Sequence, residues 1–322
     1  MKRRIFFLTG VFSATLAITA LAQTYPDKPI RLVIPYPAAT QTDVVGRLVS
    51  TKLGELLGRT IVVDNRAGAG GMIGAEFVSK AAPDGYTLLL GTSQTHAINK
   101  YLYTQMPYDP LTGFEPVARV ASVPMVLVVN STLPIKSVTE LINYAKARPG
   151  QLNYASSGIG SSAHLAGASL NNEAGIKISH IPYKDVGQIF VGFAGGNITS
   201  MFYAYAPLRT QIQSGSLRII ATTGSQRSAF LPEVPTLSES GYPNFAMTAW
   251  FALYAPRGTP KPIIDVLANA ANRAVTSPDV TEKLLGSGTD PFASSPDVLR
   301  DFTKTELERY RKVVELTGAK AE

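Results

Sequence analysis

The chain has 322 residues, of which 45% are hydrophobic and 16% are charged, so it can bury a large core and favours two lobes over one. The formal net charge of +7 falls by three to +4 without Lys2, Arg3 and Arg4, and no basic cluster that would suit nucleic acid or a lipid surface remains. There is no cysteine, which excludes disulfides, a thiol nucleophile and lipid attachment through an N-terminal cysteine.

The first residues have the pattern of an export signal. Basic residues at positions 2–4 precede an apolar run that ends at Ala20-Leu21-Ala22, which fits a small-x-small cleavage site. We therefore predict that residues 1–22 are a signal peptide that is removed, and that the mature protein is periplasmic. No later segment is long and apolar enough to span a membrane, so no membrane insertion is expected.

The first strand and helix are joined by a loop of small and hydroxylated residues. A buried strand over Ile30–Ile34 stops at Pro35, residues 38–42 follow, and Thr40 with Asp43 forms a capping-box pattern at the start of a helix. A helix N-terminus that is reached through such a loop leaves backbone N–H groups free and can hold a carboxylate or phosphate. An ordinary strand–helix turn has the same pattern, so this stretch alone does not decide between the two.

A glycine-rich segment follows the second predicted strand, residues 60–65. The spacing Gly68-x-Gly70 puts Ile73 where a dinucleotide-binding fingerprint needs its third glycine, and no Gly-Lys-Ser/Thr follows. We therefore predict a tight structural turn and no nucleotide site.

A polar segment follows the third predicted strand, residues 85–91. It begins with Thr92 and Ser93 and ends at His96. We expect it to be a loop at the carboxyl end of the strand, where open α/β sheets bind their ligands.

The second half of the chain repeats the arrangement of a strand, a hydroxyl-rich loop and a helix. After a fourth strand at 125–130, a short strand at 152–155 leads into residues 156–162, which contain four serines and two glycines, and then into a helix that begins near His164. Capping a helix needs one serine, so this loop exceeds that need. Two such loops in two halves of one exported chain indicate a site more strongly than either loop alone.

The remaining sequence continues the alternation of strands and helices. Strands are predicted at 176–182, 198–203, 217–223 and 251–255, and amphipathic helices at 262–275 and 296–316. This alternation predicts an α/β fold with mostly parallel sheets that are covered on both faces.

Neither metal binding nor catalysis is predicted. None of the three histidines has metal-ligand spacing, and the serine loop lacks Gly-x-Ser-x-Gly. His164 is close to Ser161 in sequence, but a catalytic triad needs a base and an orienting acid that converge in space. We predict no catalytic residue, no metal and no cofactor, and an exported hydrolase is the least favoured alternative.

Many short motifs in this order resemble the extracytoplasmic solute-binding proteins of tripartite tricarboxylate transporters, also called Bug proteins. The resemblance runs from end to end of the mature chain. The matching residues are Tyr25-Pro26-Asp27-Lys28-Pro29, Pro35-Tyr36, Asp43 with Arg47, Val63-Asp64-Asn65-Arg66, Gly68-Ala69-Gly70-Gly71, Pro83-Asp84-Gly85-Tyr86-Thr87, Asn153-Tyr154-Ala155-Ser156, Gly160-Ser161, His164-Leu165, Pro182-Tyr183-Lys184, Leu231-Pro232-Glu233-Val234-Pro235 and Ala255-Pro256-Arg257-Gly258-Thr259-Pro260.

The resemblance implies a type II periplasmic-binding-protein fold, with two Rossmann-like lobes and a ligand cleft between them. Lobe one would comprise residues 23–123 and 247–322, and lobe two residues 124–246. Family members hold a carboxylate through the loops that correspond here to 36–43 and 156–162. The resemblance also implies a monomer that closes on its ligand and delivers it to the membrane permease subunits of a tripartite transporter, or presents it to a membrane sensor.

Three departures from the family pattern bear on the ligand. Ala39-Thr40 stands where the family has a pair of glycines, Asp185 replaces a glycine, and Tyr203-Ala204-Tyr205 follows a strand that is often followed by Asp. Losing a carboxylate and gaining phenol rings disfavours an amino acid and favours a flat or apolar ligand body. The sharpest hypothesis is an aromatic dicarboxylate of the terephthalate type, and an aliphatic di- or tricarboxylate or an amino acid is the alternative.

The candidate ligand-binding residues share a position in or beside these loops and strand ends. They are Tyr36, Ala38, Ala39, Thr40, Thr42, Asp43, Thr92, Ser93, Ser156, Ser157, Gly160, Ser161, Ser162, His164, Tyr183 and Tyr203.

Overall fold

A computed structural model describes residues 25–183, 186–243 and 245–320. The predicted signal peptide and Asp185 lie outside the described residues. The strands are β1 (Ile30–Ile34), β2 (Ile61–Asn65), β3 (Thr87–Thr92), β4 (Phe114–Asn130), β5 (Asn153–Ser156), β6 (Ser179–Pro182), β7 (Ser200–Ala204), β8 (Leu217–Thr222), β9 (Thr248–Pro256) and β10 (Asp290–Pro291). The helices are α1 (Gln41–Leu57), α2 (Met72–Ser79), α3 (Asn99–Leu102), α4 (Val138–Ala147), α5 (Ser162–Ala174), α6 (Val186–Ala194), α7 (Tyr205–Gln213), α8 (Lys261–Val275), α9 (Pro278–Gly286) and α10 (Pro296–Thr317).

The strands form one continuous sheet in the order β2-β1-β3-β9-β4-β7-β5-β6, and β8 and β10 also pair with β4. The outer strands are parallel, since β1 pairs with β2 and β3, and β5 pairs with β6 and β7. The central pairs of β3 with β9, β9 with β4, and β4 with β7 and β8 are antiparallel. The prediction of mostly parallel sheets is therefore wrong at the centre, because β4 and β9 run against each of these neighbours.

Helices cover both faces of the sheet, as the alternation of apolar residues predicts. Along β1, Leu32 packs into one buried cluster with α1 and α8, and its neighbour Val33 packs into another with α2, α5 and α10. A third cluster holds Val126 and Val128 of β4 against α6 and α7. Adjacent strand residues point to opposite faces, so both faces of β1 are buried.

Strand β4 is much longer than predicted and connects the two ends of the sheet. Its first part, up to Pro124, pairs with β9, and its last residues from Met125 pair with β7 and β8. Only 125–130 was predicted as strand, because Pro116 and Pro124 interrupt the first part and proline is rare inside sheets. The register shifts between Pro116 and Ala118 and again between Arg119 and Ala121, and such bulges accommodate a proline within a strand.

Candidate functional site

A cavity of about 350 Å³ lies where the two halves of the sheet meet. We call it the cleft cavity. Strands β4 and β9 form its floor, and the other lining residues come from the starts of α1, α5 and α7, the loop before α5, the end of β7, and the turn after α9. The lining residues are Gln41, Val123, Met125, Ser157, Ser162, Ala163, Tyr203, Ala204, Tyr205, Ala206, Pro207, Ala249, Ser287 and Gly288.

Three helix N-termini border the cleft cavity. Gln41 is the first residue of α1, Ser162 is the first of α5, and Tyr205 is the first of α7. The first turn of a helix has free N–H groups and a partial positive charge, which favour an anion. None of the described lining residues carries a charged side chain, so neutral donors would hold a carboxylate here.

The loop before α1 is built around its N-cap. Thr40 caps α1, as predicted: its hydroxyl accepts from the Asp43 N–H at 3.3 Å and donates to the Pro37 carbonyl at 2.8 Å. Ala39 has a positive φ of 64°, in the left-handed region that glycine adopts most readily. The side chains of Ala38 and Ala39 are exposed beside Gln41. The structure thus places this loop at the rim of the cleft cavity, and Gln41 reaches its lining.

Asp43 stabilises this loop through hydrogen bonds to its buried carboxylate. Its buried carboxylate accepts hydrogen bonds from the Ala39 N–H at 2.9 Å, from Asn65 at 2.9 Å, and from Arg47 at 2.9 and 3.0 Å. Burial alone would raise the pKa of the Asp43 carboxyl, but the hydrogen bonds from Arg47, Asn65 and the Ala39 N–H outweigh it and hold the pKa below its usual value. Thr42 is buried beside it and does not line the cavity. The carboxylate is therefore ionised and committed to the loop.

The glycine-rich segment, residues 68–71, packs against Tyr36. The Tyr36 hydroxyl donates to the Gly70 carbonyl at 3.4 Å and lies 3.3 Å from Thr92 Oγ1. Burial raises the pKa of Tyr36 to about 12, so its hydroxyl stays protonated. The segment around Gly71 is a tight turn, as predicted, and it supports the loop before α1 from outside the cleft cavity.

The segment after β3 is a helical turn and not the predicted loop. Residues 94–98 form one π-helical turn, and Ser93 is buried at its start. Thr95 Oγ1 accepts from the Thr92 N–H at 2.9 Å and lies 2.9 Å from His96 Nδ1. Thr92 and Ser93 are therefore buried, and neither residue lines the cleft cavity.

His96 is fully buried in this turn. Its ring stacks on Tyr254 with centroids 3.9 Å apart, and its Nε2 has no hydrogen-bond partner. Burial lowers the pKa of His96 to about 3, because the charged imidazolium would lose its hydration. His96 is therefore a neutral core residue.

The serines of the second loop divide into two pairs. Ser156 and Ser161 bond within the loop: both donate to the Gly158 carbonyl, at 3.0 and 2.7 Å, and Ser161 accepts from the His164 N–H as the N-cap of α5. In the described part of the chain, the Ser157 and Ser162 hydroxyls form no hydrogen bond, and both line the cleft cavity. Ser157 and Ser162 are therefore available to a ligand.

Two histidines, His164 and His180, bond to the loop of residues 156–162. His164 Nδ1 accepts from the Gly160 N–H at 3.1 Å, and its ring lies 4.1 Å from that of His180, whose Nε2 is 2.6 Å from Ser156 Oγ. Burial and the neighbouring His164 lower the pKa of His180 to about 4, and burial also lowers that of His164. Gly160 itself is buried, with a positive φ of 78°. These contacts fix the path of the loop without reaching the cleft cavity.

Two of the predicted tyrosines differ in position. Tyr203, at the end of β7, lines the cleft cavity, and burial raises the pKa of its hydroxyl. Tyr183 bonds through its N–H to the Ser156 carbonyl at 2.9 Å, and its ring packs with α6, away from the lining. The predicted residues in the lining are thus Ser157, Ser162 and Tyr203.

Several lining residues were not predicted. Gln41 Nε2 donates to Thr289 Oγ1 at 2.7 Å, which ties the start of α1 to the turn after α9, where Ser287 and Gly288 also line the cavity. The Tyr205 ring lies 5.5 Å from that of Phe230 and faces the same space. Of these residues, only Tyr205 gave a signal in the sequence, as part of Tyr203-Ala204-Tyr205. The turn after α9 has no local motif and reaches the site through the fold.

The described residues contain no group of three or more His, Asp or Glu side chains that could hold a metal ion. Across those same residues, no helix is both long and apolar enough to cross a bilayer.

The α/β halves joined by paired crossing strands, with a cavity at their junction, define a solute-binding protein of the periplasmic class. Solved structures of this class superpose over most of the chain. A TctC solute-binding protein from Polaromonas has a TM-score of 0.82 at 27% identity, with 91% of this chain and 99% of that one covered. A Rhodopseudomonas palustris protein solved with adipate has a TM-score of 0.74 at 35% identity (91% and 98% covered), and MatC from the same species, with bound malate, has 0.69 at 31% (90% and 100% covered).

The sequence profile described as "Tripartite tricarboxylate transporter family receptor" matches residues 45–319, and the chain belongs to this family. It is similar to Protein BugT of Bordetella pertussis, with 40% identity over 320 residues that cover 98% of each chain. The predicted family and fold are therefore confirmed. The family and the structural neighbours are solute-binding proteins and not enzymes.

Proposed function

We propose that this protein captures a dicarboxylate in the cleft cavity, and that the preferred ligand has an aromatic body, as terephthalate does. The observation that carries the proposal is the lining: three helix N-termini and two free serine hydroxyls surround a cavity without a charged side chain. Two structural neighbours were solved with adipate and with malate, and each of these ligands carries two carboxylates.

Each carboxylate has its own set of neutral donors in this proposal. One would meet the start of α5, with the Ser157 and Ser162 hydroxyls, and the other would meet the start of α1 at Gln41. Charge-assisted hydrogen bonds from such donors are stronger than bonds between neutral groups. A ligand with a negative charge at each end is therefore held at both sides of the junction.

The middle of the cleft cavity favours a flat apolar body. Val123, Met125 and Ala249 form its floor, and the rings of Tyr203 and Tyr205 border it. Aromatic pairs contribute about 0.5–1.5 kcal/mol beyond the area that they bury. An aromatic dicarboxylate would use these rings, and an aliphatic one would not.

An aliphatic dicarboxylate is the second candidate. The structural neighbours at 35% and 31% identity were solved with adipate and malate, which are both aliphatic. Both candidates place carboxylates at the same helix ends, so the tyrosines decide between them.

The wider role that we propose follows from the family. Residues 1–22 direct export, and residues 23–123 with 247–322 form one lobe and 124–246 the other. The protein works as a periplasmic monomer that delivers its ligand to the membrane permease subunits of a tripartite transporter. The change of β4 partners at Pro124 supports this division into lobes.

The experiment is a calorimetric titration of the chain from Gln23 with terephthalate, benzoate, adipate, malate and citrate, checked by thermal shift. A ligand at 100 times its Kd adds about 2.7 kcal/mol of stability. We expect terephthalate to bind at least tenfold more tightly than adipate or benzoate. Tighter binding of adipate or malate would favour the second candidate, and no binding of any carboxylate would contradict the proposed function.

A matched pair of variants tests the role of the rings. Tyr203→Leu should weaken terephthalate about tenfold and change the affinity for adipate less than threefold. Tyr144→Leu is the control. Tyr144 belongs to α4, its ring stacks under the guanidinium of Arg148, and it does not line the cleft cavity. An equal loss for both ligands in Tyr203→Leu would mean that the ring does not select the aromatic body.

A further inference from the structure

A second pocket lies on β4 and β9, separate from the cleft cavity, and has a volume of about 220 Å³. We call it the rear pocket. Arg119, Phe292, Phe302, Ser122, Ser225 and Gln226 line it, among others. Its volume is below the roughly 300–1,000 Å³ of sites for drug-sized ligands, so a small ion fits it better than a large solute.

Arg119 is the unusual residue of the rear pocket. It is only 9% exposed, and its guanidinium lies between two aromatic rings, 4.0 Å from the centroid of Phe292 and 4.0 Å from that of Phe302. Its Nε has no hydrogen-bond partner, and within the described residues no carboxylate forms an ion pair with it. Glu306 is near enough to favour the charge of Arg119, but it forms its ion pair with Arg309. A buried arginine without a direct ion pair is rare, because its charge loses hydration.

The other two arginines that line the rear pocket already have carboxylate partners. Arg227 bonds to Glu239 at 3.0 and 3.1 Å, and Arg309 pairs with Glu306, which also accepts from the indole N–H of Trp250 at 2.9 Å. These two arginines thus have direct carboxylate partners, whereas Arg119 has only the longer-range attraction of Glu306.

Asp290 is the one acidic residue among the described residues of the lining, and its carboxylate accepts hydrogen bonds from neutral donors. It accepts from the Ser228 hydroxyl at 2.8 Å and from the Ala229 N–H at 3.0 Å, and burial raises its pKa. Burial lowers the pKa of Arg119 to about 10, which still leaves the guanidinium charged at neutral pH. Among the described residues of the lining, Arg119 is therefore a cation without a direct ion-pair partner, while neutral donors hold Asp290.

We propose that the rear pocket binds a small oxyanion, such as a carboxylate, sulfate or phosphate, through the guanidinium of Arg119. The two phenylalanine rings hold the guanidinium plane in place, and its planar N–H groups match the two oxygens of an oxyanion. Ser122, Ser225 and Gln226 supply further polar groups around the ion. This site is distinct from the carboxylate positions of the cleft cavity.

The test uses the fluorescence of Trp250, the single tryptophan of the chain. Its ring centroid lies 5.3 Å from that of Phe302, which stacks on Arg119, so an ion at Arg119 should change the emission. The chain from Gln23 is titrated with sodium sulfate while sodium chloride keeps the ionic strength constant. We expect a saturable change that is at least tenfold weaker in affinity in Arg119→Met and within twofold of wild type in Arg273→Met, an exposed arginine on α8.

Two further variants distinguish a site at Arg119 from a folding defect and from binding in the cleft cavity. Arg119→Lys retains the charge without the planar donor pair and should bind sulfate several-fold more weakly, which also gives a result if Arg119→Met does not fold. The double variant Ser157→Ala, Ser162→Ala should leave the sulfate response unchanged. A response that does not saturate, that survives in Arg119→Met and Arg119→Lys, or that disappears in the serine variant would overturn the proposal.

Discussion

Ser161 and Ser162 are neighbours in sequence and differ in what their hydroxyls contact. The first caps α5 and bonds to Gly158, and the second faces the cleft cavity without a partner in the described part of the chain. We expect Ser162→Ala to weaken the carboxylate ligand about tenfold, because a hydrogen bond to a charged group contributes about 1.5 kcal/mol. Its unfolding free energy should change by less than about 0.5 kcal/mol.

Ser161→Ala is the matched control and should show the opposite pattern. Loss of an N-cap lowers the free energy of unfolding by about 1 kcal/mol. Calorimetry and urea denaturation of both variants measure the two effects. If Ser161→Ala lost affinity and kept its stability, the division of the serines would be wrong.

Asp43 was predicted to bind the ligand, but in the structure its carboxylate accepts hydrogen bonds from within the protein. Asp43→Asn should lower the free energy of unfolding by about 2 kcal/mol, because the buried carboxylate accepts bonds from Ala39, Asn65 and Arg47. Asp265→Asn, an exposed residue paired with Lys261 at 2.7 Å, should change it by no more than about 0.5 kcal/mol. Equal effects in urea denaturation would contradict the role given to Asp43.

The glycine-rich turn before α2 packs closely against Thr95 and Tyr36. Gly71 has a φ of 90°, and an added Cβ would lie 2.7 Å from Thr95 and 3.2 Å from the Tyr36 hydroxyl. Gly215 has a similar φ of 76° and open space around it. Gly71→Ala should therefore destabilise the protein by at least about 1 kcal/mol more than Gly215→Ala, since both pay the strain of a positive φ and only the first is overpacked. Thermal denaturation of the two variants measures the difference.

The comparison of sequence and structure is also clearest for elements. The strands and helices with unbroken apolar patterns, such as β1 and α10, lie within two residues of their predicted bounds. The first part of β4 was missed because its prolines mimic a loop, although bulges accommodate them in the sheet. The segment after β3 was predicted to be a loop because it is polar. In the structure, Thr95 accepts a hydrogen bond from the Thr92 N–H, and the side chains of Thr95 and His96 are fully buried.

Only part of the candidate site was predictable from the sequence. Ser157 and Ser162 lie in a local motif that a reader of the sequence can find. Gln41, Ser287 and Gly288 meet only because α1 and the turn after α9 are brought together, with Gln41 bonded to Thr289. No short segment of sequence contains that information.

The buried neutral imidazole of His96 makes the stability of the folded protein depend on pH. The folded-state pKa of His96 is about 3, below the unfolded value of about 6.5, so the unfolded chain binds the proton first as the pH falls. The free energy of unfolding should therefore decrease below about pH 6.5, with a slope that approaches about 1.4 kcal/mol per pH unit from this residue. The lowered pKa of His180 acts in the same direction.

Urea denaturation between pH 7 and pH 4 measures this slope, and His96→Phe should make it shallower. In wild-type protein, the NMR signals of the His96 ring should not titrate between pH 7 and pH 4. Titration near pH 6 would show that the ring is hydrated and would contradict the assignment.

Ligand capture should also change the shape of the molecule. The residues that line the cleft cavity come from both sides of the point where β4 changes partners, so a ligand that bonds to both sides should draw them together. We expect a smaller radius of gyration in X-ray scattering at a saturating ligand concentration, and no change in the Ser157→Ala, Ser162→Ala variant at the same concentration. Equal radii with and without bound ligand would exclude closure.

The placement of β9 has a consequence for the order of folding. It lies between β3 and β4 in the sheet, although residues 131–247 separate it from β4 in the chain. A growing chain that lacks residues 248–320 can pair β1 with β2 and β3, but it cannot join them to β4 or cover them with α8 and α10. The half of the molecule that begins first is therefore completed last, and its folding waits for contacts between the two ends of the chain, which makes it slow for its size.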